Sequence, residues 1–268
     1  FVIVELTPSG EIDMEALRRA LQGPVRIVAL PHVSNVLGTI NPVADVAALA
    51  HAAGAVVVCD GAQAVPHLAV DVHALGVDFY AFSGHKLGAP TGIGALWGKR
   101  ALLEQMPPWQ LGGDMIEFVR DEDTSWNVIP HKFEAGTPNV GGAVGLGAAC
   151  DWLSALGLDR VHAHEQTLVA QALEELNAID GVTTYGPPAS RRSGAVAFSV
   201  EGVHPHDLAQ LLDAEGICVR AGHHCAQPLM RFIGQPATAR ASFWVYSDAS
   251  DVTALAEAVR RAKERFGV

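Results

Sequence analysis

The stretch Phe79-Tyr80-Ala81-Phe82-Ser83-Gly84-His85-Lys86, followed by Leu87-Gly88-Ala89-Pro90-Thr91-Gly92-Ile93-Gly94, decides how the chain is read. Phe79 to Phe82 is a short aromatic run of strand character. Ser83-Gly84 ends it in a turn. His85 and Lys86 then fall just past a strand end, where α/β folds place their ligands. The glycines after Lys86 let backbone come close to whatever the lysine holds. A lone lysine is normally a solvated surface charge. Lys86, however, sits among apolar and glycine residues, with His85 its only neighbour that can carry charge. Desolvation disfavours an ammonium ion, and a neutral amine can form a Schiff base with a carbonyl.

Working outward, Ala55-Val56-Val57-Val58-Cys59 is a continuous apolar run, as a buried parallel strand requires. It ends in Asp60-Gly61-Ala62-Gln63. Taken alone, Asp60 reads equally well as a turn or helix-capping residue. A carboxylate at a strand tip can also hold a pyridine nitrogen protonated and so make the ring an electron sink. Asp60 and Lys86 on the tips of two successive strands therefore mark a candidate site for pyridoxal 5'-phosphate.

The chain has 268 residues, 49% of them hydrophobic, enough for one large domain or two modest ones with a sizeable core. No apolar run reaches the ~18 residues of a membrane span, and no signal peptide is evident. The net charge is −11 with no basic cluster, so nucleic acid and acidic membrane surfaces are poor partners. Four scattered cysteines do not make a disulfide scaffold, and a reducing, cytoplasmic setting fits. Cys59 falls in a strand pattern and Cys150 in a helix pattern, both expected to be buried and inert. Cys218 falls in the strand-like Ile217-Cys218-Val219. Only Cys225 lies in a polar loop.

The remaining pattern alternates strands and helices. Phe1 to Leu6 reads as strand from the middle of a domain, so the chain is expected to be a piece of something longer. Asp13 can cap a helix to about Leu21, and Val25 to Leu30 is a strand leading into the loop Pro31 to Thr39. Val43 to Ala53 is an Ala-rich helix closed by Gly54. A loop through Asp78 precedes the Lys86 strand, and Ile93 to Trp97 is another short strand. Such alternation implies crossovers and a mostly parallel sheet. Arg100 to Met106 is a short helix, and Pro107 to Asn139 a polar excursion with a hairpin. Val140 to Leu156 is apolar on most sides and expected to be buried. Leu158 to Ile179 is long, amphipathic and placed to bridge two domains. Beyond Gly181 the pattern becomes α+β. Strands at Val182–Tyr185, Ala195–Val200, Ile217–Arg220 and Arg240–Trp244 accompany a helix from Pro205 to Glu215. A last helix runs to Phe266, capped by Asp248 or Asp251.

Arg220-Ala221-Gly222-His223-His224-Cys225-Ala226-Gln227-Pro228 is the other informative stretch. Three consecutive residues rarely wrap one ion, so no metal site is expected. A thiol in a Gly/His loop with an arginine nearby suits a nucleophile, because cationic neighbours favour the thiolate. The same residues also allow a spare, partly exposed cysteine. Arg220 and Arg240 fall on neighbouring strands, and a guanidinium binds a carboxylate through two parallel hydrogen bonds.

These residues carry a resemblance to the class V aminotransferase-like pyridoxal phosphate enzymes, and within them to the SufS-type (group II) cysteine desulfurases. The resemblance runs from Phe1 to Val268. Its most specific pieces are SNVLGT (34–39), DGAQAV (60–65), FSGHKLGAPTGIG (82–94), FEAGTPN (133–139) and RAGHHCAQPLM (220–230). The short loop ending in His-His-Cys is similar to the SufS type rather than to the longer loop of the NifS/IscS type. The resemblance implies an α/β pyridoxal phosphate-dependent transferase fold of the aspartate aminotransferase-like kind. Residues 1–156 would form a large domain with a mostly parallel sheet, incomplete at its N-terminus. Residues 157–268 would form the bridging helix and a smaller C-terminal α+β domain.

The same resemblance implies roles. Lys86 would hold the cofactor covalently and move the Cα proton, with Asp60 on the pyridine nitrogen and Gln63 on the ring hydroxyl. Ser83 and His85 would hold the phosphate, and Thr137 would reach the phosphate of a partner subunit in a homodimer. Asn35 would contact substrate near the cofactor. Arg240 would clamp the carboxylate of L-cysteine, Arg220 would support the cysteine loop, and Cys225 would take the substrate sulfur as a persulfide. L-alanine would leave, and the sulfur would pass to an acceptor protein of the SufE/SufU type for iron–sulfur cluster assembly. Members of this group carry a further segment before the equivalent of Phe1. It holds a phosphate-binding turn ending in Thr and a histidine stacked on the ring, and neither is found here. The cofactor pocket is thus expected to be incomplete. Selenocysteine lyase, cysteine sulfinate desulfinase, a kynureninase-like hydrolase and a non-catalytic sulfur-transfer scaffold remain open alternatives.

Overall fold

The computed structural model describes residues 1–268. Asp13 starts the first helix by accepting the backbone N–H groups of Glu15 and Ala16, donors that a first helical turn leaves open. In order come α1 (Met14–Ala20), β1 (Ile27–Pro31), α2 (Val43–Ala52), β2 (Val56–Asp60), α3 (Val72–Leu75), β3 (Phe79–Ser83), β4 (Gly94–Gly98) and α4 (Arg100–Gln105). β1, β2 and β3 are parallel neighbours, and β4 returns antiparallel along β3. α2 covers one face of the parallel strands. Val43, Val46 and Ala50 pack against Leu30, Val57, Cys59 and Tyr80 in one core.

A hairpin, β5 (Ile116–Val119) and β6 (Thr124–Trp126), follows within the polar excursion. Two helices come next, α5 (Val140–Leu156) and α6 (Leu158–Asn177), bent by 73° about Gly157. Gly157 has φ 85°, which a residue with a Cβ adopts only under strain. No single helix is long and apolar enough to cross a membrane.

The second sheet is antiparallel, in the order β7 (Val182–Tyr185), β8 (Ala195–Val200), β10 (Thr238–Ser242), β9 (Arg220–Gly222). Helices α7 (Pro205–Ala214), α8 (Gln227–Phe232) and α9 (Ala249–Phe266) accompany it. α6 lays Leu168, Val169 and Leu176 against Phe198 of β8 and against Leu255 and Val259 of α9. Burying each such side chain stabilises the fold by ~1.5–3 kcal/mol. Asp248 and Asp251 act together on α9 in a capping box, so both sequence candidates contribute.

Several expectations need correction. Phe1 to Leu6 forms no strand. It has no neighbouring strand to pair with, and only Leu6 makes a single bridge, to Ile12. The loop before Asp78 contains the helical turn α3, capped by Asp71. α5 is not buried all round. Gly142, Ala149 and Leu153 are covered, while Val140, Val144 and Trp152 are exposed. Its apolar composition is real, but only one face meets Leu87, Ala89 and their neighbours. Cys150 is consequently exposed, and Cys218 is exposed in a loop because the strand there starts only at Arg220.

Candidate active site

The site begins at the carboxyl ends of β2 and β3. Their register sets Asp60 beside Ala81, and Gly61 N–H extends the pairing to the Ala81 carbonyl at 2.7 Å. Asp60 and the turn bearing Lys86 therefore leave the sheet at the same edge. Gly61 cannot be larger. A Cβ there would stand 2.0 Å from the ring of Tyr80, which is buried beneath the site. Tyr80 OH lies 2.9 Å from His32 Nδ1. Burial, reinforced by Cys59 and Asp60, pushes the Tyr80 hydroxyl above its usual range. Burial, with the charge of Asp60, pushes the Cys59 thiol up to about 12. Cys59 thus stays a neutral packing residue.

Asp60 is exposed, and its Oδ1 accepts Ala62 N–H at 2.8 Å. Lys86 lies in the single 3₁₀ turn Gly84–Leu87, closed by Gly88 at φ 91°, and is half-buried rather than enclosed. Ser83 Oγ and His85 Nδ1 are 2.8 Å apart beside it. Thr137 is exposed in the loop before α5. Asn139 fixes that loop by donating to Gly92 O at 3.0 Å while accepting Gly142 N–H at 2.9 Å, which ties it to the glycine run after Lys86.

The second sheet supplies the facing wall. Arg220 and Arg240 are direct partners across β9 and β10. Like charges so placed repel. The Arg240 guanidinium donates to the Asn35 carbonyl at 2.6 Å and to Ser242 Oγ at 3.1 Å, and Arg220 reaches Cys225 Sγ at 3.9 Å. Neither arginine spends these contacts on a carboxylate. Burial first, and Arg220 second, hold Arg240 below the usual arginine range. A narrow cavity of about 40 Å³ between the sheets brings Asn35, Gln63, His67 and Arg240 together. Cys225 is exposed at φ 59° on an open depression of about 570 Å³ that also includes Arg220, His206 and His223.

Sequence reasoning gave no role to two buried residues. His224 is buried, with Nε2 at 2.9 Å from Thr238 Oγ1 and 3.1 Å from Thr238 O, and its carbonyl accepts Asn35 Nδ2 at 2.7 Å. Glu165 of α6 is fully buried, 2.7 Å from His67 Nδ1, and ties α6 to the segment that follows β2. The available signals were the His-His doublet and an acidic residue on the apolar stripe of α6.

Sheet, turn and facing wall define a class of protein: a two-sheet α/β architecture with a carboxylate and a lysine at the carboxyl edge of the first sheet and paired arginines and an exposed thiol on the second. A family model described as aminotransferase class-V matches residues 1–255, and the chain belongs to that family. A probable cysteine desulfurase of Halalkalibacterium halodurans is 52% identical over 262 residues, covering 98% of this chain and 64% of that protein. One from Staphylococcus aureus is 48% identical over 263 residues, with the same coverage of 98% and 64%. Among solved structures, a cysteine desulfurase of Thermococcus onnurineus superposes with TM-score 0.94 at 39% identity, covering 98% of this chain and 66% of that one. An Escherichia coli cysteine desulfurase gives TM-score 0.94 at 43% identity, covering 98% and 65%. The chain thus spans 64% of the length of the curated relatives it matches.

Proposed function

We propose that the whole protein is a pyridoxal phosphate-dependent cysteine desulfurase of the SufS type, turning L-cysteine into L-alanine and holding the sulfur as a Cys225 persulfide. One observation carries the reading: a narrow cavity between the sheets brings Gln63, from the turn just after Asp60, together with Asn35 and with Arg240 of β10. Curated relatives about half identical to this chain are themselves named probable cysteine desulfurases.

The donor set suits the cofactor. An amine, a carboxylate, an amide and a hydroxyl–imidazole pair stand at or beside the ends of β2 and β3, each of a type the cofactor needs. Lys86 would hold it, Asp60 would keep its ring nitrogen protonated, Gln63 would meet its ring hydroxyl, and Ser83 and His85 its phosphate. When bound, the cofactor supplies an electron sink for charge developing at the amino acid Cα.

The chain's own residues supply the rest. Arg240 pairs with the substrate carboxylate, which offsets the repulsion from Arg220. Asn35 touches the substrate beside it. Lys86 takes and returns the Cα proton. Cys225 Sγ attacks the substrate sulfur, so that an S–S bond forms and the sulfur–carbon bond breaks. The electron pair of the broken bond stays with the carbon fragment, which is protonated and released as alanine. The sulfur then passes to an acceptor of the SufE/SufU type for iron–sulfur cluster assembly in the cytoplasm. Thr137, exposed on its loop, suits contact with a second copy's phosphate in a homodimer. We place the division between a large and a small domain at Gly157, the bend between α5 and α6.

The test is Cys225→Ser in the full-length holoenzyme. Mass spectrometry after L-cysteine should find a persulfide on Cys225 in the wild type and none in the variant, with cofactor absorbance retained. A persulfide on Cys150 or Cys218 would sink the assignment.

A further inference from the structure

His224 and Cys225 are consecutive residues with side chains, both in the left-handed region, at φ 52° and φ 59°. Residues with a Cβ hold that conformation only where surrounding contacts impose it. Here the contacts converge on His224. Its ring is 1% exposed, and Nε2 faces both the carbonyl oxygen and Oγ1 of Thr238 on β10. A carbonyl only accepts, so Nε2 carries the proton and Nδ1 the lone pair. The His224 carbonyl accepts Asn35 Nδ2, and the Asn35 carbonyl accepts Arg240 Nη1. Ala226 N–H closes the turn on the His223 carbonyl at 2.8 Å. A continuous set of hydrogen bonds therefore runs from Arg240 on β10 through Asn35, in the loop after β1, and back to the residue that precedes Cys225.

We propose that His224 is a positioning residue. Its buried ring, anchored on Thr238, and its carbonyl, anchored on Asn35, hold the strained turn that presents the Cys225 thiol beside Arg220. The proposal rests on reading Cys225 as the sulfur-accepting thiol. The chemistry of the turn itself is measurable without that reading.

The test uses full-length holoenzyme carrying His224→Ala, His224→Gln or Thr238→Val. Gln can place its amide N–H near the position of Nε2, whereas Thr238→Val removes one of the two acceptors. Iodoacetamide alkylation of Cys225 is timed without substrate and mapped by mass spectrometry. KM and kcat for alanine release are measured alongside. His224→Ala should change the alkylation rate several-fold and lower kcat about ten-fold, as expected for one lost hydrogen bond, with KM for L-cysteine nearly unchanged. His224→Gln should restore most of both. If His224→Ala does not fold, Thr238→Val should show the same changes in smaller degree. Unchanged alkylation and kcat in a folded His224→Ala or Thr238→Val overturns the proposal. So does a His224→Gln protein that folds yet is as impaired as His224→Ala. If Cys225→Ser retained sulfur transfer, the functional reading would fall, while the alkylation comparison would still decide whether His224 holds the turn.

Discussion

Arg240→Lys separates a carboxylate clamp from an ordinary structural arginine. The guanidinium already gives Nη1 to the Asn35 carbonyl at 2.6 Å and Nε to Ser242 Oγ at 3.1 Å. An arginine has five N–H donors, so three remain for a carboxylate; a lysine has three, all on one nitrogen. Lysine can keep the Asn35 carbonyl or grip the substrate, but it cannot do both with parallel bonds. Losing one charge-assisted hydrogen bond costs ~1.5–3 kcal/mol. That corresponds to a rise in KM for L-cysteine of roughly 10- to 150-fold. Burial and the neighbouring Arg220 both weigh against positive charge here. A lysine ammonium, with its lower ordinary pKa near ~10.4, should lose its proton first, so the KM defect should widen toward alkaline pH. The assay is alanine release by full-length holoenzyme at varied L-cysteine, from about pH 6.5 to pH 9, where arginine stays charged. A KM within about two-fold of wild type across that range would refute the clamp and move substrate binding elsewhere.

Other outcomes follow from the same geometry. Lys86→Ala should abolish alanine release, and borohydride reduction of the wild type followed by peptide mapping should place the cofactor label on Lys86; a label on another lysine refutes the role. Gly61→Ala drives a Cβ to 2.0 Å from the Tyr80 ring, and such overpacking costs ~1–3 kcal/mol, or roughly 2–12 °C in Tm, so an unchanged Tm would contradict the packing. Burial, with Arg240 next in size, lowers His224 to about 4. The unfolded chain binds that proton first, so the folded state is fully stable on this account above about pH 6.5 and loses up to ~3 kcal/mol as pH falls toward 4. Urea unfolding between about pH 7.5 and 4.5 should show wild type losing more than His224→Gln, and parallel curves would rule the effect out.

Much of the fold was legible because its signals are local. The apolar run ending at Asp60 reads as a parallel strand, and α2 covers the face that carries Val57 and Cys59. The glycine after Val43–Ala52 and the aspartates before α1 and α9 act within a few residues, so their caps fall where the sequence puts them. Asp60 and Lys86 could be placed at one sheet edge because strand tips and turns are written in neighbouring residues. The pairing of Arg220 with Arg240 was likewise foreseeable from two short strands.

What the sequence could not decide depends on partners distant in the chain. Apolar composition cannot say what covers a surface, so α5 reads as buried all round although only one of its faces is covered and Cys150 lies on another. Phe1 to Leu6 has strand chemistry but pairs only through a single bridge, Leu6 to Ile12. In His223-His224 the letters are the same, yet one ring is exposed and the other buried against Thr238, because the left-handed turn sends them apart. Asn35 meets His224 across 189 positions of sequence, and Glu165 meets His67 across 98. The sequence by itself determined which residue types could do the chemistry and the local elements that bear them. Only the tertiary structure decided which are buried, charged and in contact, because burial and hydrogen-bond partners belong to the packed chain rather than to any stretch of it.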